Sequence, residues 1–299
     1  MSRRVTTGSA ELDRRIEALL DEVGARENRD LLFDIVASGV LLANDDADRL
    51  DLKITAAALA EMRLAFNAFA PYRDDPKVTI FGSARILDTD PLYDAARNVA
   101  RLLAQRGWMV ITGAGPGIMA AGLEGAGRDN SFGVNIRLPF EQQANEFILG
   151  DTKLVSMKYF FTRKLELVKE SQGFVCLPGG FGTLDETFEL LTLQQTGKSV
   201  PTPIVFLDEP GGTFWTGWRD FVLEHVAEGG YIAAEDLSLV TITDDEQEAA
   251  DTILGFYRNY RSIRWVGKRL VVRLCNSPTD EELAQLNEEF GGLLTKDGR

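Results

Sequence analysis

Between Phe174 and Glu186 the chain reads Phe-Val-Cys-Leu-Pro-Gly-Gly-Phe-Gly-Thr-Leu-Asp-Glu, and this stretch limits the fold more than any other. Phe174 to Leu177 are apolar throughout, which predicts a short buried strand. Pro178 ends it, and Gly179, Gly180 and Gly182 make a loop without side-chain bulk. Thr183 then opens an amphipathic helix carrying Leu184, Phe188 and Leu191. A strand, a glycine loop and a helix N-terminus in succession expose unpaired backbone N–H groups and the positive end of a helix dipole. That junction suits an anion, most often phosphate. Asp185 and Glu186 follow in the first turn. Carboxylates beside an anion cradle need a reason: either they favour the helix N-terminus, or one of them takes part in chemistry.

The surrounding sequence repeats the strand–helix alternation. Strands are predicted at Val78–Phe81, Trp108–Ile111, Ser131–Ile136, Lys153–Ser156, Pro203–Leu207 and Leu239–Ile242. Helices are predicted at Pro91–Arg106, Ile118–Gly127, Lys158–Ser171, Phe214–Ala227 and Asp244–Tyr257. Such alternation demands an α/β fold, a Rossmann-like doubly wound parallel sheet with helices on both faces. Its ligands bind beyond the carboxyl ends of the strands. Ahead of it, Glu11 to Phe69 carries three apolar stripes at helical spacing, and Pro71–Pro76 marks a boundary. The expected organisation is a helical extension over 1–75, a nucleotide-binding catalytic core over 76–262, and edge strands plus an acidic helix over 263–299.

Charge and composition remove several classes of function. The formal net charge of -14 argues against a nucleic-acid surface. Cys176 and Cys275 are the two cysteines and form no C-x-x-C pair, so neither a metal site nor a disulfide framework is expected, and a reducing compartment, the cytoplasm, is. The one histidine, His225, lies in a predicted amphipathic helix, which leaves little for a Ser-His-Asp or zinc mechanism. No window approaches the ~18 apolar residues of a membrane span, and Met1 to Gly8 lack the apolar core of a leader.

Two further glycine loops end strands, Gly82-Ser83 and Gly113 to Gly117. The second fails the dinucleotide fingerprint. Its third glycine comes one place early, and the next strand ends near Asn135-Ile-Arg137 without an acidic residue for a ribose. No G-x-x-x-x-G-K-[ST] exists either. Positive charge near the strand ends comes from Arg85, Arg137, Arg163 and Lys164. Arg163 and Lys164 are open to two readings, a solvated helix face beside Glu166 and Glu170, or cations sharing one crevice with Glu186.

Thr162-Arg163-Lys164 followed by Pro178-Gly-Gly-Phe-Gly-Thr-Leu-Asp-Glu186 resembles the Lonely guy family of nucleoside 5′-monophosphate phosphoribohydrolases. The likeness runs from about Val78 to Phe256 and takes in the earlier glycine loops. It implies hydrolysis of the N-glycosidic bond of a nucleoside 5′-monophosphate, of the AMP or cytokinin riboside monophosphate type, to free base and ribose 5-phosphate. Carried over residue by residue, it implies Arg163 and Glu186 as catalytic. It implies Gly82, Ser83, Gly113, Gly115, Met157, Lys164, Gly179, Gly180, Gly182, Thr183, Asp185 and Thr192 as substrate-binding. Arg163 would orient Glu186 or contact the substrate. Met157, Phe160 and Phe161 would form a base pocket or belong to the core. No metal or organic cofactor is implied, nor any nucleic-acid or membrane partner, and the assembly is expected to be a homodimer or higher homo-oligomer. Two features depart from the pattern: Phe160-Phe161-Thr162 stands where plant and fungal members have Met-His before the Arg-Lys pair, and the helical extension is absent from the short members. Relatives labelled lysine decarboxylase find no support here, for no lysine is placed for a Schiff base with an acidic partner. The alternative is a non-catalytic nucleotide or molybdenum-cofactor carrier or sensor, which would not need the Arg163–Glu186 pair.

Overall fold

The computed structural model describes residues 5–138 and 143–293. Met1 to Arg4, part of the stretch read above for a leader, lie outside them. Contacts divide the chain into two compact units, Met1–Arg63 and Leu64–Arg299. The first holds α1 (Ala10–Glu22), α2 (Arg29–Asn44) and most of α3 (Arg49–Phe69). Ser9 caps α1 by accepting from Leu12 N. Ile16, Leu20, Phe33 and Ala37 form a small core of α1 and α2.

The second unit carries the predicted alternation. In chain order it holds β1 (Lys77–Phe81), α4 (Pro91–Ala104), β2 (Met109–Thr112), α5 (Ile118–Ala126), β3 (Ser131–Ile136), β4 (Leu154–Met157), α6 (Phe160–Lys169) and β5 (Gly173–Cys176). Next come α7 (Phe181–Gln195), β6 (Ile204–Leu207), α8 (Phe214–Phe221), β7 (Val240–Thr243) and α9 (Glu246–Phe256). The seven strands form one parallel sheet in the order β4-β3-β2-β1-β5-β6-β7. Both faces are covered, as the near-continuous apolar strands require. Val78, Ile80, Val110 and Val175 pack with Val99, Leu103, Ile118 and Ile253 in one core layer. Phe81, Ile111, Phe132 and Phe206 pack with Leu167, Leu190 and Trp215 in the other. Ala65 and Phe69, at the end of α3, join that second layer, where Phe69 stacks on Phe132 at 4.3 Å. Thr79 Oγ1 donates to Leu167 O at 2.9 Å and ties α6 to β1.

Strand order reverses between β1 and β5, because the chain runs outward from β1 through β2, β3 and β4 before returning to β5. The crevice beyond the carboxyl ends of these two strands is therefore the topological switch point.

The structure departs from the sequence expectations in three places. Helix α7 starts at Phe181, two residues ahead of Thr183, so Gly182 and Thr183 lie inside its first turn and Asp185 and Glu186 in its second. The glycines were legible as a loop, but Gly179, Gly180 and Gly182 all have φ outside the left-handed region. They serve by lacking a side chain, which does not stop a helix from starting. Helix α8 runs on as a π-helical turn, Val222–Ala227, which carries His225. The two strands after Asn259, β8 (Tyr260–Val266) and β9 (Arg269–Leu274), pair only with each other, as an antiparallel ribbon, rather than with an edge of the large sheet. The acidic helix α10 (Asp280–Phe290) follows, capped by Thr279 and Glu282.

Candidate active site

Three glycine loops meet at the switch point and are tied together by backbone. Ser83 N donates to Pro178 O at 3.2 Å, and Ile118 N donates to Ser83 O at 3.0 Å. The approach is close because side chains are missing. A Cβ on Gly82 would lie 2.5 Å from Ile118 Cγ2, and one on Gly117 would lie 2.4 Å from Ser83 O. Gly117 also has φ +65°, where a side chain is strained whatever the space. Above this floor lies a cavity of about 610 Å³, lined by Gly82, Ser83, Arg85, Met119, Arg163, Gly179, Gly180, Phe181, Gly182, Thr183 and Glu186, among others.

One wall is the N-terminus of α7. Gly180 is its N-cap, and the first helical bond runs from Leu184 N to Gly180 O at 3.0 Å. The N–H groups of Phe181, Gly182 and Thr183 therefore precede the helix's own bonding. A Cβ built on Gly180 or Gly182 meets nothing within 4 Å, so packing does not demand glycine at either place, and both leave open space at the start of the helix. Gly179 differs, since its Cβ would stand 2.2 Å from Thr183 Oγ1.

The lining also holds an ion pair, between α6 and α7. Arg163 comes from the first turn of α6 and is almost fully buried. Its Nε donates to Val134 O, within β3, at 2.9 Å. Its Nη1 donates to Glu186 Oε1 at 3.1 Å. The guanidinium reaches Glu186 past Gly113, where a Cβ would lie 2.0 Å from Nη2. Burial pushes the Glu186 carboxyl up to about 7, with the Arg163 charge pulling against it and Asp185 adding to it. A carboxylate poised near neutrality in a cleft fits a general base or an electrostatic stabiliser.

The remaining predicted residues divide by place. Gly113 and Gly115 act indirectly: a Cβ on Gly115 would lie 2.6 Å from Met119 Cε, so both glycines make room for side chains that line the cavity. Lys164 and Asp185 pair with each other at 3.2 Å, with Glu189 2.8 Å from the same ammonium, and line no part of the cavity. Consecutive residues of α6 thus reach consecutive residues of α7, one pair within the cleft and one outside it. Met157 is fully buried in the core layer with Phe132 and Leu167. Phe160 and Phe161 are exposed, and neither lines the cavity. Thr192 stands six residues beyond Glu186, about 240° around the helix. It lines a separate apolar cavity of about 110 Å³ with Phe188 and Trp218.

Met119 and Phe181 were missed by sequence reasoning. The signal for Met119 was the pair Gly113 and Gly115, whose spacing accommodates a bulky neighbour just inside the next helix. Phe181 is 94 % exposed at the cavity rim. Among the described residues no group of His, Cys, Asp and Glu is arranged to hold a metal ion, and no helix is long and apolar enough to cross a membrane.

The glycine at 113 gives a direct test of this geometry. Gly113→Ala is expected to lower turnover by about 10- to 100-fold, because its methyl group displaces a guanidinium held at both ends. Far-ultraviolet circular dichroism and steady-state rates check it; unchanged turnover in a folded variant would show that the Arg163 placement is unimportant.

Several known proteins are similar to this chain. A family profile described as possible lysine decarboxylase matches residues 116–253. The cytokinin riboside 5′-monophosphate phosphoribohydrolase of Mycobacterium tuberculosis (strain ATCC 25618 / H37Rv) is 30% identical over 166 residues, covering 53% of this chain and 83% of that one. The probable cytokinin riboside 5′-monophosphate phosphoribohydrolase LOGL3 of Oryza sativa subsp. japonica is 28% identical over 167 residues, covering 54% and 74%. Among solved structures, the molybdenum cofactor binding protein of Rippkaea orientalis superposes with a TM-score of 0.43 and 18% identity over 61% of this chain and 97% of that one.

Proposed function

We propose, since this chain belongs to the Lonely guy family of cytokinin riboside 5′-monophosphate phosphoribohydrolases, that the cavity at the β1–β5 switch point binds the nucleotide and that Glu186 acts at its C1′ carbon. The reaction is hydrolysis of the N-glycosidic bond of a nucleoside 5′-monophosphate, giving free base and ribose 5-phosphate. Water adds to C1′ as the bond to the base nitrogen breaks; one proton leaves the water and one joins the base. The transition state carries oxocarbenium character on the sugar. An ionised carboxylate beside C1′ stabilises that charge and orients the water. The buried Arg163–Glu186 pair in the cavity wall is the observation that carries this reading.

In this reading the N–H groups of Phe181, Gly182 and Thr183 take the 5′-phosphate, with Ser83 and the Thr183 hydroxyl beside it. From Gly182 to Glu186 the helix rises about 6 Å, which the ribose spans. Arg163 is a positioning residue: Val134 O and Glu186 hold its guanidinium at both ends. Adenine nucleotides, AMP or an N6-substituted relative, head the substrate list, because the named relatives act on cytokinin ribotides. The chain works as at least a homodimer in the cytoplasm; Phe181, bare at the cavity rim, supports a second subunit there. Among the described residues that line the cavity there is no lysine for a decarboxylase.

Free-base release from a panel of nucleoside monophosphates tests the proposal. Release from at least one, absent in Glu186→Gln, supports it. Tight binding of a monophosphate without release would point to a carrier.

The pH profile is a second test, and rate and stability move in opposite senses. Glu186 must be ionised to act, so base release rises about tenfold per pH unit up to about 7 and levels off above it. Glu166, on α6 with Arg163, is fully buried, and neither of its oxygens has a hydrogen-bond partner among the described residues. Burial raises it to about 7 as well, with Lys169 opposing. Both carboxyls then hold protons in the folded chain that the unfolded chain, with carboxyls near 4.5, has lost. Stability is fully present below pH 4.5 from these groups and falls as pH rises toward 7. Thermal melts of Glu166→Gln should show a shallower fall over that window while the rate profile stays in place. A flat rate profile below pH 7 would remove Glu186 from the chemistry.

A further inference from the structure

The β8–β9 ribbon is amphipathic in a way its own protomer does not use. Cross-strand partners share a face, so the register Ile263↔Val272 and Trp265↔Leu270 puts these four side chains together. The irregularity between Tyr260 and Ser262 brings Tyr260, opposite Leu274, onto the same face. The other face carries Ser262, Arg264, Arg269 and Arg273, with Val266 and Val271 among them. Trp265 is 70 % exposed, and Leu270, Val272 and Leu274 are exposed too. A two-stranded ribbon with an open apolar face is marginal alone and is stabilised by packing against a further element.

The charge of the ribbon is equally one-sided. From residue 257 to 275 it holds Arg258, Arg261, Arg264, Lys268, Arg269 and Arg273 with no Asp or Glu, on a chain whose formal net charge is -14. Helix α10 is its complement. It carries Asp280, Glu281, Glu282, Glu288 and Glu289 with no Lys or Arg. Leu283, Leu286 and Phe290, at i, i+3 and i+7, make an apolar stripe along one side of it, and all three are exposed. No residue of α10 is buried. The chain leaves the ribbon at its open end, where Cys275 N donates to Asn259 O at 2.7 Å and Asn276 N to Asn259 Oδ1 at 2.8 Å. That end is opposite the Gly267–Lys268 turn, beside which Trp265 and Leu270 stand.

We propose that the apolar face of the β8–β9 ribbon is the docking site for helix α10 of a second copy of this chain. The stripe Leu283–Leu286–Phe290 covers Trp265, Leu270 and Val272, and the net negative charge of the helix is attracted by the net positive charge of the ribbon as a whole. Two ribbons face to face would match in apolarity but bring together two segments that each carry six positive charges and no negative one, which disfavours that arrangement. This pairing is separate from the catalytic cavity, and its failure would leave the reading of Glu186 intact.

Two full-length variants in a Cys275→Ser background test it, one with Leu270→Cys and the other with Leu286→Cys. Mixed under mild oxidation, they are expected to give a disulfide-linked heterodimer as the main product. Its yield should fall at least tenfold when the ribbon also carries Trp265→Asp, and should fall in 1 M salt, where the Debye length is about 3 Å. Both changes lie on exposed residues, and base release reports that the core is intact. A disulfide that forms only inside a doubly substituted chain would overturn the proposal in favour of the chain's own helix. No disulfide, with retention of a labelled oligonucleotide by the parent chain, would assign the arginines to a nucleic acid.

Discussion

Glu186→Gln is expected to release base at least about 10³ times more slowly than the parent chain while KM for the monophosphate stays within a few-fold. Gln keeps the shape and can still accept from Arg163 Nη1, so the 3.1 Å contact survives and the cavity keeps its form. What is lost is the negative charge that faces the oxocarbenium character of the sugar, a charge needed only in the transition state. Loss of that kind appears in kcat and not in ground-state binding. Removing Arg163 has a different signature. Burial already lifts Glu186 to about 7 against the pull of the guanidinium, so Arg163→Met should move the midpoint of the pH–rate profile upward and let part of the lost rate return at high pH. Equal rates for the parent chain and Glu186→Gln would end the assignment of the chemistry to this carboxylate.

The parts of this site that were legible in the sequence are those whose meaning is local. Phe174 to Leu177, the proline, the three glycines and the following helix lie in one unbroken run, and local chemistry sets a strand, a tight passage and a helix N-terminus with unpaired N–H groups. Strand–helix alternation carried the parallel sheet for the same reason, and the sheet then placed the site. Residues whose role depends on direction were less legible. Lys164 is adjacent to Arg163 in sequence, but a step of about 100° along a helix sends it to Asp185 and Glu189 instead of the cavity. Thr192 shares α7 with Glu186 and faces a different cavity. Gly113 and Gly115 were read as contacts for a ligand; their missing side chains admit Arg163 and Met119, a steric fact that needs the third dimension. The ribbon failed as a pair of edge strands because strand pairing is non-local, and nothing in Tyr260 to Leu274 states which neighbour its strands will choose.

A bare nucleoside is expected to react with a kcat/KM roughly 10³–10⁴ times below that of its 5′-monophosphate, with kcat falling as well as KM rising. The phosphate is remote from the bond that breaks, so its contribution depends on how its binding is used. Three N–H groups at the start of α7 point into space that Gly180 and Gly182 leave open. A hydrogen bond to a charged group is worth about 1.5–3 kcal/mol, so two or three of them supply roughly 4–6 kcal/mol, or about 10³–10⁴ in rate. The helix dipole adds in the same sense. Because α7 begins at Phe181, Glu186 stands three to five residues, about 4.5–7.5 Å, beyond these groups, so a phosphate held by them would not meet its charge at contact distance. On the proposed reading, one rigid helix would fix the distance between the anchored phosphate and the carboxylate that works on the sugar. Binding energy from the first is available to hold C1′ against the second. Comparing adenosine with AMP in single-turnover experiments separates the two effects. A nucleoside that turned over as fast as the monophosphate once saturating would mean that α7 holds the phosphate without using it, and that positioning at C1′ comes from the base and ribose alone.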